Sequence, residues 1–147
     1  MSCIERRGRR KSLALALAEC VRFEIKLAQL TEEQAKAGKF MYSNDMLHNP
    51  SLFYDLRPEV IILESKIISQ VIAFNAALKQ YDCARDNLQG AKEITTDGVK
   101  LPIDLLNAYG TSIKVLISTG ERLLQYLEEY YPKTKSSEQS TPSDTHK

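Results

Sequence analysis

Residues 106–130 read LNAYGTSIKVLISTGERLLQYLEEY. Leu106, Tyr109, Ile113, Leu116, Gly120, Leu123, Leu127 and Tyr130 recur at alternating steps of three and four without a break. That is the period of one face of an α-helix. Pro102 suits a first helical turn and Pro132 cannot continue a helix, so the spacing predicts a helix between them. Gly120 is the odd member of the stripe. It costs about 1 kcal/mol of helix propensity against Ala, and a glycine on a core face predicts close approach of a neighbouring helix or aromatic ring.

Two further stripes lie upstream. Ser12 is a candidate N-cap and Gly38 a candidate stop, with Leu13, Ala16, Cys20, Phe23, Leu27 and Leu30 as a narrow seam and Leu17, Val21 and Ala28 widening it. A second helix opens at Arg57, Pro58 and Glu59. Its seam is Val60, Leu63, Ile67, Val71 or Gln70, Phe74, Leu78, Tyr81, Arg85 and Leu88. Ile61, Ile62, Ile68 and Ile72 make its first half apolar nearly all round, which predicts cover on more than one side. Asp97 and Gly98 mark a turn before the third helix. Three seams with one long and one short connection predict an all-α, antiparallel three-helix bundle, packed like a coiled coil at about +20°. The domain plan is a basic arm at 1–11, a bundle at 12–131 and a Ser/Thr/Pro-rich disordered tail at 132–147.

The long connection contains FMYSNDMLHNPSLFYDLRP, residues 40–58, which lacks the helical period yet holds two Phe, two Tyr and two Met. A structureless run of this length inside a compact domain is unusual. Its apolar residues suit a lid over the flank of 60–72, with short helical turns at 43–47 and 50–54. His48 beside Asn49 and Pro50 reads as a turn residue.

At 147 residues the chain suits one domain with its own core, and 43% hydrophobic with 27% charged residues is ordinary for a globular protein. Charge is unevenly spread. Residues 1–11 hold Arg6, Arg7, Arg9, Arg10 and Lys11 against Glu5 alone, a net +4 in a chain that sums to +1, so the other 136 residues carry −3. The body is therefore no basic nucleic-acid binder. Cys3, Cys20 and Cys83 form no C-x-x-C pattern; Cys20 and Cys83 read as core fillers in a reducing compartment. RRGRRKSLALALAEC imitates a signal peptide, but only six apolar residues precede Glu19. The best membrane-span candidate, 60–78, is interrupted by Glu64 and Lys66.

The chemistry motifs are sparse. His48 and His146 are the only histidines, and no E-x-x-H, phosphate-binding loop or nucleophile-elbow pattern occurs. These features predict a non-enzymatic protein without cofactor or metal. It would bind a protein partner, or itself, through Phe53, Tyr54, Ile61, Ile62 and Ile68. The alternative is an anion-binding site of Arg6, Arg7, Arg9, Arg10 and Lys11 docking on an anionic membrane surface or nucleic acid. Nucleic acid is the weaker partner, because no aromatic residue is interleaved for base stacking. Arg85 reads as a side chain snorkelling out beside Asp82, Asp86 or a carboxylate on a neighbouring helix.

The succession RRKSLALALAECVRFEIKLA, MYSNDMLHNPSLFYDLRPEVI and IISQVIAFNAALKQYDCARDNL resembles a group of uncharacterised small bacterial helical proteins. In these a basic segment leads into an Ala/Leu-rich helix, an aromatic loop, a leucine–proline turn and an Ile/Val–Phe helix. Members of that group often carry an N-terminal membrane anchor, a feature this chain does not show. The resemblance implies a bacterial, cytoplasmic setting at the inner face of the membrane, and no particular activity.

Overall fold

The computed structural model describes residues 3–36, 57–91, 93–96 and 98–134. It is an all-α bundle of three long helices: α1 (Cys3–Lys36), α2 (Ser65–Ala91) and α3 (Ile103–Tyr130). A 3₁₀ segment, Arg57–Ile62, leads into α2, and another, Pro132–Thr134, follows α3. Strands β1 (Glu93–Thr95) and β2 (Gly98–Lys100) form a small antiparallel hairpin between α2 and α3, with Ile94 opposite Val99. Gly98 sits at φ 123°, a conformation open to glycine and strained for other residues. The turn expected before the third helix is thus accompanied by a short pair of strands, with Gly98 opening β2.

The helix α3 is the centre of the bundle and packs along both others, whereas no Cα of α1 comes within 8 Å of one in α2 among the described residues. Side-chain pairings fix the directions. Arg22 of α1 meets Glu128 near the end of α3. Tyr81 of α2 meets Tyr109 near the start of α3, and Glu64 meets Tyr131 at its end. Both α1 and α2 are therefore antiparallel to α3, and parallel to each other.

The second and third seams pack as their spacing predicts. Val60, Leu63, Ile67, Val71, Phe74, Leu78, Tyr81 and Leu88 are buried, as are Tyr109, Ile113, Leu116, Gly120, Leu123 and Leu127. Local chemistry sets the ends. The Glu64 carbonyl accepts the first helical N–H, from Ile68 at 3.0 Å, so α2 proper begins after Glu64 and residues 57–62 wind as a tighter 3₁₀ turn. Pro102 caps α3, its carbonyl accepting the Leu106 N–H. Beyond α3 the Thr134 N–H and hydroxyl both bond the Tyr131 carbonyl, and Thr134 is buried, so ordered structure runs past Pro132 to this point.

Helix α1 departs from expectation twice. It starts at Cys3, not Ser12, so the basic segment forms its first turns. Arg and Lys are good helix formers, and Glu5 stands at the positive helix end. The buried face is also rotated. Leu13, Ala14, Leu17, Ala18, Val21, Ile25 and Ala28 face the core, while Phe23 and Leu30 are 51% and 53% exposed. The chain offers two apolar stripes on this helix, and the one rich in alanine wins because small side chains let α1 lie close on α3. Cys20 is consequently only half-buried and Cys83 is exposed, so neither is the core filler expected of it.

Gly120 is the point of closest approach. A methyl group there would lie 2.9 Å from Ile25 Cγ1 and 3.0 Å from Phe74 Cε1. Gly120→Leu should therefore destabilise the bundle by about 1–3 kcal/mol despite its better helix propensity. Urea unfolding should show a lower midpoint with the slope retained.

Candidate interaction surface

At about 100° per residue, the stripe Ala16, Cys20, Phe23, Leu27 and Leu30 winds along α1 beside its core face, on the side away from Arg22 and α3. Glu24 lies between this stripe and the core. On α2, Asp82 lies between the core face and a strip containing Asn75, Ile68 and Ile72. Glu24 and Asp82 interact electrostatically, so the two strips border the same wide α1–α2 cleft. Ile72 is 65% exposed and Ile61, in the 3₁₀ segment, 76%; Ile62 and Ile68 are half-buried.

Of the residues that sequence reasoning chose for the surface, Ile61 is exposed and Ile62 and Ile68 are half-buried; Phe23 and Leu30, which it placed in the core seam, are exposed as well. The signal was present as two competing stripes on one helix. Phe53, Tyr54, His48 and residues 40–56 of the proposed lid lie outside the described residues.

Polar groups line the floor of the cleft. Glu24 is buried and its carboxyl is pushed up to about 7, first by burial and then by the Asp82 carboxylate. Burial also pushes Asp82 up, while Arg85 opposes that. Arg85 reaches Asp82 at 3.4 Å and Asp86 at 3.6 Å, the partners its position implied, but its side chain is largely buried rather than snorkelling out, and it stands 5.8 Å over the Tyr81 ring. Tyr81 and Tyr109 join hydroxyls at 3.1 Å. Burial chiefly, with Glu24 and Glu19 adding, raises the Cys20 thiol, which opposes thiolate chemistry there. No cluster of three potential metal ligands occurs among the described residues.

The predicted cations gather at the end of the bundle where α1 begins. Arg6, Arg7, Arg9 and Lys11 are exposed, while Arg10 is half-buried and lies near Tyr131. The Tyr131 hydroxyl donates to Glu64 at 2.8 Å, and its pKa rises to about 12, through burial and then that carboxylate. Its hydroxyl is thus bound to protein, not left to water. Arg9, Ser12, Leu13 and Ala16 share a pocket with Glu59 and Ile62, so the structure brings the basic and apolar candidates together at this end. Ile68 and Ile72 lie farther along α2. No helix among the described residues is long and apolar enough to cross a membrane.

Glu24 makes stability depend on pH. Its folded-state pKa of about 7 exceeds the ordinary value of 4.5, so the folded protein holds an extra proton between them. The associated stability is full below the lower value and is lost as pH rises through the upper one. Glu24→Gln should flatten that slope and raise stability at pH 8 by about 2–3 kcal/mol. Urea unfolding at pH 5 and pH 8 measures this; parallel behaviour of both proteins would refute it.

No family of known proteins, no curated protein and no solved structure matches this chain.

Proposed function

We propose that the chain is a non-enzymatic helical interaction protein that pairs with a protein partner, or with a second copy, through the α1–α2 face. The observation that carries this reading is the exposure of Phe23 and Leu30 on α1, Ile61 in the 3₁₀ segment and Ile72 on α2. Large apolar side chains scattered singly on a surface are ordinary, but an aligned set marks an interaction site. Ala16, Cys20, Phe23, Leu27 and Leu30 also step four, three, four and three, the spacing that seats one helix against another. Ile62 and Ile68 extend the opposite wall. The reading is one of binding rather than catalysis, in a cytoplasmic setting.

Self-association is the form most directly tested. Sedimentation equilibrium on the full chain should show a reversible monomer–dimer equilibrium that changes little with salt. Phe23→Asp or Ile72→Asp should weaken it at least a hundredfold, as about 3 kcal/mol of lost apolar burial implies. Both positions are exposed in the monomer, so circular dichroism should be unchanged. A monomer at every concentration would count against pairing between copies.

A further inference from the structure

The bundle end where α1 begins and α3 finishes carries a second surface, which shares Ile61 with the α1–α2 face and is otherwise made of different residues. Arg6, Arg7, Arg9 and Lys11 project there, with Glu5 in the same turns and exposed Glu59 beside Arg9. Exposed apolar side chains stand among these cations: Ile4 is 85% exposed, Ile61 is 76% exposed, and Leu15 and Tyr130 are each about 40% exposed. Leu15 and Tyr130 line a pocket of about 250 Å³ with Tyr131, Pro132 and Thr134, and Lys11 is also part of its wall.

We infer that this end docks on an anionic lipid bilayer, with its basic residues at the headgroups and its apolar residues in the interfacial layer. The cations alone would serve any polyanion. The exposed aliphatic and aromatic side chains decide between partners: on a nucleic-acid backbone Ile4 and Ile61 would stay wet, whereas a bilayer interface takes apolar groups directly beneath its phosphates. The Lys11 pocket repeats this on a smaller scale, an apolar hollow with a cation in its wall. Arg10 is a weaker contributor, since it faces inward toward Tyr131.

Vesicle co-sedimentation of the full chain tests the inference. Vesicles of phosphatidylcholine with about a third phosphatidylglycerol should bind the protein, pure phosphatidylcholine should not, and added salt should weaken binding. Changing Arg6, Arg7, Arg9 and Lys11 together to Ala should lower the partition coefficient by roughly a hundredfold or more. Ile4→Asp should lower it several-fold. Phe23→Asp, on the other surface, should leave it unchanged, which separates this site from the pairing face. Circular dichroism confirms that each variant is folded. Equal binding to neutral vesicles, indifference to the fourfold substitution, or tighter binding to duplex DNA that ignores Ile4→Asp would each overturn the assignment.

Discussion

The structure depends on one close approach. Gly120 on α3 has no side chain, and Ile25 from α1 and Phe74 from α2 both close over it, nearer than a methyl group would allow. Because α1 and α2 do not touch through their backbones, α3 is what holds them in one body. A glycine at mid-helix weakens α3 by about 1 kcal/mol. The offset is a fully buried aromatic ring and an isoleucine sharing the space, each able to contribute about 1.5–3 kcal/mol by leaving water. Alanines at positions 14 and 18 serve the same end from the α1 side, by keeping that helix near α3.

The architecture was legible where a helix offers one stripe. Every apolar member of the α2 seam is buried, and α3 loses only Leu106 and Tyr130, near its ends, to partial exposure. Helix α1 was misread because it offers two stripes with nearly equal claims. Ala14, Ala18, Val21, Ile25 and Ala28 step by three and four as regularly as the seam that holds Phe23 and Leu30, so periodicity alone does not choose between them. The choice is made by the partner: α3 at Gly120 leaves room for Ile25, and a close-packed interface prefers Ala18 to Phe23. Such complementarity belongs to two helices at once and cannot be read from either. The start of α1 was missed for a simpler reason. Ser12 resembles a cap, yet of residues 3–11 only Gly8 and the neighbouring like charges oppose a helix, and the helix runs straight through it.

The same logic explains the candidate surface. A stripe rejected by the core does not lose its hydrophobicity; it remains on the molecule as exposed Phe23 and Leu30. On α2 the excess is of a different kind, a first half too apolar for one neighbour, and Ile61 and Ile72 are left facing outward. The sequence therefore carried the surface as a surplus of apolar positions over what three helices can bury. The basic end was legible as composition. Its helical form, and the apolar side chains among its cations, were not.

Glu24 is where these considerations meet. It sits on α1 at the boundary between the buried stripe and the exposed one, and its buried carboxyl faces the field of Asp82. An apolar residue there would join the two stripes into one broad apolar face and leave the rotation of α1 less determined. A carboxyl group that must leave water to reach this position penalises any rotation that buries it deeper. A rotation that shared the core between the two stripes would do that, since Glu24, which stands between them, would then lie at its centre. The acid thus costs stability in its ionised form and, on this argument, keeps the two stripes from sharing the face toward α3. Polar residues at core margins do specify register in other helical assemblies, and the hypothesis here is that Glu24 does so within one chain. Hydrogen exchange on a Glu24→Leu variant measures it. More stable protein with protection retained at Ala14, Ala18 and Val21 would show that packing alone sets the rotation; protection spread over both stripes would show that the carboxyl sets it.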